Sequence, residues 1–147
     1  MSSTRPVRIL AVIGAGNMGS GIAQKAATEG FPVILVDLDD AKVARGLSII
    51  DQTLSDGVLR KIFRAEDAKA IRERITGTAD WSKLAGADLV IEAVFEDFNV
   101  KKQVIEKLES VCRPDAIIAT NTSSFLVTDL AKGMAHPERM VGLHYFY

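Results

Sequence analysis

Val7-Arg8-Ile9-Leu10-Ala11-Val12-Ile13 runs directly into Gly14-Ala15-Gly16-Asn17-Met18-Gly19, and this join decides the fold. The first stretch is a short, mostly aliphatic run of the kind that forms a strand in a parallel sheet, and it ends at glycine. After the glycines the period changes. Met18, Ile22, Ala26 and Glu29 recur at helical spacing, with small Ala and Gly residues along the same stripe, which lets a helix pack closely on a sheet. A Gly-x-Gly-x-x-Gly run means little alone; between a strand and a helix it has the context its chemistry needs. Gly14 permits a tight turn, Gly16 lets the backbone approach a pyrophosphate, and Gly19 lets helix and strand pack closely. The helix start then offers unpaired N–H groups and a positive dipole end to that anion.

The next aliphatic run, Val33-Ile34-Leu35-Val36, ends in Asp37. Its distance from Gly19 is close to the roughly 20 residues after which an acid meets an adenosine ribose. The plainer alternative is a tight turn followed by a turn-capping aspartate. If Asp37 reads the ribose, it also selects the cofactor. A carboxylate accepts hydrogen bonds from ribose hydroxyls but repels a 2′-phosphate, by about 4 kcal/mol at ~4 Å and an effective dielectric near 20. Leu38 and Asp39 follow, with no arginine to relieve that repulsion. NAD is therefore the expected cofactor.

Further along, short aliphatic runs alternate with segments of helical period, the pattern of a parallel α/β sheet. The runs are 8–13, 33–36, a weaker one at 75–78, then 89–93, 116–119 and 140–143; the helical segments are 18–29, 40–54, 65–74, 100–111 and 127–132. Parallel strands joined by helices imply a doubly wound sheet of the Rossmann type. Residues 40–74 exceed what one crossover needs and read as a projecting helical hairpin broken at Gly57. The hairpin carries Arg60, Lys61, Arg64, Lys69, Arg72 and Arg74. These are either a solvated basic face or a dock for an anionic ligand such as a nucleotide phosphate.

The chain has 147 residues, 48% hydrophobic and 25% charged, enough for one core without staples. Eighteen basic against nineteen acidic residues leave a net charge of -1, so neither nucleic acid nor an anionic membrane is the expected partner. The single cysteine, Cys112, excludes an internal disulfide and a Cys-rich metal site, and it reads as structural. Residues 1–6 carry no apolar signal region, and no stretch approaches the ~18 apolar residues of a membrane span. One cofactor-binding domain over 1–147, working in the cytoplasm without a metal, is the expectation.

In a parallel sheet all strand C-termini share one edge, where ligands bind. The later strands deliver Glu96, then Asn121-Thr122-Ser123-Ser124, then His144 to that edge. Each has a plainer role available. The Asn121–Ser124 run could cap the helix after it, Glu96 or Asp97 could cap the helix near Val100, and His144 could be a satisfied core histidine. At the end of a strand on the cofactor edge, catalysis is the preferred reading for His144. His136 reads as a surface residue. Glu92, among apolar neighbours in a buried strand, must be partnered or lie at the strand's exposed end, because an unpaired buried charge is expensive.

Taken together the chain resembles the NAD-binding domain of the L-3-hydroxyacyl-CoA dehydrogenase family over nearly its whole length. The resemblance rests on Val12 to Ala23, on Asp88-Leu89-Val90-Ile91-Glu92-Ala93-Val94-Phe95-Glu96, on Asn121-Thr122-Ser123-Ser124 and on Gly142-Leu143-His144-Tyr145-Phe146, in order and at family spacing. It implies oxidation of a 3-hydroxyacyl-CoA to a 3-ketoacyl-CoA, as in fatty acid β-oxidation, with hydride passing to NAD. His144 matches the general base, work suited to an imidazole near neutral pH, and Ser123 matches the serine that hydrogen-bonds the substrate oxygen near the nicotinamide. Met18 and Asp37 match contacts to the pyrophosphate and adenosine ends, and Asn17 of the glycine loop is a further cofactor-binding candidate. Val94, Phe95, Glu96 and Lys101 match the cofactor-binding segment, and Asn121 matches the asparagine of the serine motif. In that family the long hairpin contacts coenzyme A, which makes Arg60, Lys61 and Arg64 candidate substrate contacts.

Tyr147 departs from the family pattern, which usually has asparagine there. The family's glutamate partner for the histidine and its helical C-terminal domain, with the dimer interface, lie beyond Tyr147. The chain is thus expected to bind NAD with little or no turnover alone, and to act in a homodimer when complete. Two other readings stay open: a β-hydroxyacid dehydrogenase of the Gly-x-Gly-x-Met-Gly group, which uses a lysine, and a non-catalytic NAD-binding sensor.

Overall fold

A computed structural model describes residues 5–146. Six parallel strands form one sheet: β1 Leu10–Ile13, β2 Val33–Val36, β3 Ile75–Thr78, β4 Leu89–Glu92, β5 Ile117–Thr120 and β6 Met140–Gly142. Their spatial order is β3-β2-β1-β4-β5-β6, the doubly wound order with its switch point between β1 and β4. The first glycine-flanked run is the sheet's centre: Leu10 pairs with Val33 on one side and Leu89 on the other. All four β1 residues are buried, which explains the absence of polar alternation in its sequence.

Helices cover both faces. α1 (Asn17–Thr28), α2 (Asp40–Leu59) and α3 (Ala65–Glu73) bury Ile22, Ile50, Leu54 and Ile71 against one side. α4 (Phe98–Val111) and α5 (Val127–Ala131), with a 3-10 turn at Trp81–Gly86, bury Ile105, Leu108, Leu130 and Leu84 against the other. The 3-10 turn has too short a period to show in the sequence pattern.

The hairpin differs from its sequence reading at one point. Gly57 does not break α2, which runs on to Leu59. A Cβ at Gly57 would lie 2.6 Å from the Phe63 ring, so this glycine serves close packing inside the helix. The reversal comes afterwards, where Lys61 takes a φ of 59°. α2 starts at Asp39, whose side chain accepts from Lys42 N at 2.8 Å, an N-cap.

At the N-terminal edge of the sheet Asp88 gathers the chain. Its carboxylate accepts from Arg8 N and Ile9 N, both at 2.9 Å, and from Arg113 at 2.5 Å and Arg5 at 3.2 Å. The Arg113 guanidinium and the two backbone donors hold the Asp88 carboxyl well below the usual carboxylate range. No helix among the described residues is long and apolar enough to cross a membrane.

Candidate functional site

The glycine loop lies at the C-terminal edge of β1, and each of its glycines has a different reason to be there. Gly14 has a φ of 106°, and a Cβ there would lie 2.5 Å from the Ala93 carbonyl. A Cβ at Gly19 would fall 1.7 Å from the Gly14 carbonyl, so only glycine lets α1 sit this close to the strand. Around Gly16 the opposite holds: a Cβ would meet nothing within 4 Å. Gly16 is the N-cap of α1, without a side-chain cap and with no acid in the first turn. The helix start thus opens its amides on free space, as a pyrophosphate cradle needs.

Asp37 closes the far side of the loop. Its Oδ2 accepts from Ala15 N at 2.8 Å and its Oδ1 from Leu38 N at 2.7 Å, which aims the carboxylate across the mouth of the cleft. That cleft, of about 450 Å³, is lined by Gly16, Asp37, Leu38, Trp81, Val94 and Phe95. Leu38 and Phe95 are largely exposed there, an apolar surface suited to a planar base. Trp81 was not legible as a site residue, because it comes from the 3-10 turn. Two more residues come from α2: Lys42 and Arg45 share a smaller recess with Asp37 and Gly16. No arginine follows Asp37 directly, yet α2 brings Arg45 into the same recess. Lys42 itself pairs with Asp39 at 3.3 Å.

Behind the cleft, Glu92 ends β4 fully buried and is partnered. Its Oε1 accepts from Lys101 Nζ at 2.6 Å and from Val94 N at 2.9 Å, and its Oε2 from Thr120 Oγ1 at 2.6 Å. Lys101 is 1% exposed and also donates to the Val94 carbonyl at 3.2 Å. Its ammonium therefore holds the wall of the cleft from within; it does not present a charge to the open side. Sequence reading gave Glu92 the need for a partner but not the partner's identity, since nine positions and a loop separate the two.

The loops after β4 and β5 meet. The Thr122 hydroxyl donates to Glu96, and accepts from Ser124 N at 3.3 Å and Phe125 N at 3.2 Å. Of the two acids that could cap the helix near Val100, Asp97 does so, accepting from Val100 N at 3.0 Å, while Leu126 starts α5 without a side-chain cap. The Asn121–Ser124 run builds a turn that leaves Ser123 exposed. Asn121 Oδ1 accepts from Tyr145 N at 2.6 Å, which ties the segment carrying His144 to the segment carrying Ser123. His144 is exposed, with its ring 4.4 Å from that of Phe146, and makes no hydrogen bond or ion pair among the described residues. Tyr147 lies outside the described residues.

A second cleft of about 490 Å³ opens between α1, α2 and the segment after β6, lined by Asn17, Gly21, Lys25, Phe63, Tyr145 and Phe146. The basic residues of the hairpin divide. Arg64 pairs with Asp67 at 2.8 Å, Arg72 with Asp51 at 2.6 Å, Lys69 with Glu73 at 3.9 Å, and Arg74 donates to the Ala27 carbonyl at 2.8 Å. Arg60 and Lys61, exposed at the reversal, have no ion pair among the described residues. Among the described residues no group of three or more His, Cys, Asp or Glu side chains could hold a metal ion.

Comparison with known proteins finds a family and several relatives. The profile of a family described as 3-hydroxyacyl-CoA dehydrogenase, NAD binding domain, matches residues 9–147. A 3-hydroxyadipyl-CoA dehydrogenase of Escherichia coli strain K12 is 41% identical over 95% of this chain, which covers 30% of that protein. A 3-hydroxybutyryl-CoA dehydrogenase of Clostridioides difficile is 36% identical over 93% of the chain, which covers 49% of it. The crystal structure of a 3-hydroxybutyryl-CoA dehydrogenase from Escherichia coli K12 superposes with a TM-score of 0.92 at 40% identity, over 97% of this chain and 30% of that one. The chain thus spans about a third to a half of the length of these relatives.

Proposed function

Because the chain belongs to the 3-hydroxyacyl-CoA dehydrogenase family through its NAD-binding domain, we propose that it is the cofactor-binding part of an enzyme that oxidises a 3-hydroxyacyl-CoA thioester to the 3-ketoacyl-CoA. The observation that carries this reading is the 2.6 Å hydrogen bond between Asn121 and Tyr145, which joins the segments of Ser123 and His144 at the edge bearing the glycine loop.

Each residue has a role in this reading. Gly16, Asn17 and Met18 receive the pyrophosphate at the start of α1, and Asp37 accepts the adenosine ribose hydroxyls. Val94, Phe95 and Glu96 border the cofactor after β4, with Lys101 behind them and Asn121 holding the facing loop. The chemistry NAD supplies when bound is acceptance of hydride at its nicotinamide. His144 takes the proton of the substrate 3-hydroxyl, and Ser123 donates a hydrogen bond to that oxygen as it becomes a carbonyl. Arg60 and Lys61, with Arg64 beside them, offer cations to the phosphates of coenzyme A.

The substrate, a further domain that completes the site, and a homodimer are part of the same proposal for the whole protein. For this chain alone NAD binding with little turnover is expected, since His144 has no carboxylate partner among the described residues to orient it and stabilise its protonated form. Calorimetry with NAD and an assay of acetoacetyl-CoA-dependent NADH oxidation test both halves. Absence of NAD binding would sink the reading. NAD binding with no effect of any acyl-CoA on the complete protein would favour a sensor.

A further inference from the structure

The cluster of Glu92, Lys101 and Thr120 lies outside the glycine loop and away from the histidine, yet it bonds to the loops after both β4 and β5. All three side chains are almost completely buried, at 0%, 1% and 0% exposure. Burying an ion pair in this way forfeits the hydration of both ions, and well-packed apolar side chains of similar volume often serve stability as well or better. The pair does, however, supply geometry. Glu92 accepts from Val94 N while Lys101 donates to the Val94 carbonyl, so both backbone groups of one cleft residue are fixed by the same two charges. Through its other oxygen Glu92 holds Thr120, the last residue of β5. The Thr120 hydroxyl in turn accepts from Thr122 N at 3.3 Å, inside the loop that carries Asn121 and Ser123.

We propose that Glu92, Lys101 and Thr120 form one positioning unit that sets the spacing between the loop at residues 93–97 and the loop at residues 121–125. The first loop borders the cofactor and the second carries the oxygen-binding serine, so the functional value of the unit rests on the NAD-binding reading above. Glu92 and Thr120 touch neither ligand in this scheme; they act through Val94 and through the backbone of residue 122.

The test uses the chain as it stands, in Thr120→Val, which keeps the volume and removes the hydroxyl, and Thr120→Ser, which restores it. Hydrogen exchange of the free chain reads the unit without any cofactor. Thr120→Val is expected to speed exchange in both loops, 93–97 as well as 121–125, with the sheet unaffected, and Thr120→Ser to return both to wild type. NADH binding, followed by energy transfer from Trp81 in the cleft, is expected to weaken about tenfold in Thr120→Val and to stay within about twofold in Thr120→Ser. Faster exchange confined to 121–125, or a uniform rise across the chain, overturns the proposal. Should Thr120→Val not fold, Glu92→Gln carries the same exchange measurement: loosening of both loops supports the unit, and loops that exchange as in wild type refute it. Failure of the wild-type chain to bind NADH would instead count against the cofactor reading, leaving the exchange result to judge the unit.

Discussion

Asn121 Oδ1 accepts a hydrogen bond from Tyr145 N at 2.6 Å, a contact between residues 24 positions apart. It fastens the stretch after β6, at the sheet's edge, to the loop after β5. Removing the acceptor in Asn121→Ala is expected to cost about 1 kcal/mol of stability, the net worth of one such bond. In the complete protein it should lower kcat more than it raises KM, because Ser123 and His144 lose their common frame. Asn121→Asp keeps an acceptor and should recover most of the stability. Equal kcat in wild type and Asn121→Ala would show that the bond does not align the two residues.

Gly16 and Gly19 should fail in opposite ways when each is changed to alanine. Gly16→Ala meets open space, so its melting temperature should stay near wild type while the methyl group intrudes on the pyrophosphate and weakens NAD binding by about tenfold or more. Gly19→Ala places a methyl 1.7 Å from the Gly14 carbonyl and must push α1 off the strand, with a loss of about 1–3 kcal/mol or more in thermal unfolding. A Gly16→Ala chain that binds NAD as wild type does would remove the pyrophosphate from that position.

Asp37→Ser tests the cofactor preference. With the carboxylate gone, a 2′-phosphate loses its like-charge neighbour, and Lys42 and Arg45 in the adjoining recess become a favourable field for it. Affinity for NADP relative to NAD is expected to rise at least about tenfold, a fraction of the ~4 kcal/mol available between like charges at ~4 Å. Competitive titration of the two cofactors gives the ratio, and an unchanged ratio would relieve Asp37 of that role.

Asp88 should make the fold acid-sensitive. Its carboxyl is held below its ordinary range by Arg113 and by the Ile9 and Arg8 amides. The folded chain therefore binds this proton less readily than the unfolded chain, whose aspartates titrate near about 3.9. The stabilisation is complete above that pH and fades as the pH falls below it towards the folded-state value. Thermal melts of wild type and Asp88→Asn should differ by a constant amount from about pH 5 to 7 and converge below about pH 4. A gap that stays constant down to pH 2 would refute the assignment.

Much of the fold was legible because its signals are local. A strand buried on both faces needs an unbroken aliphatic run, and the glycine spacing follows from contacts within one strand–turn–helix unit. The hairpin's break was misplaced at Gly57 because a glycine inside a helix and a glycine that ends one look alike without Phe63 beside it. Trp81, Lys42 and Arg45 escaped notice at the cleft because nothing in their own segments points to it.

The sequence by itself determined the parallel sheet, the glycine turn and which strand ends carry polar groups, since periodicity and strand direction already dictate these. Only the tertiary structure decided which of those groups meet. That Lys101 answers the buried charge of Glu92, that Thr122 meets Glu96 while Asp97 caps α4, and that Asn121 holds Tyr145 depend on how neighbouring loops pack. The physical reason is range: hydrogen bonds and ion pairs act over a few ångströms, and residues separated along the chain reach that distance only after the sheet has assembled.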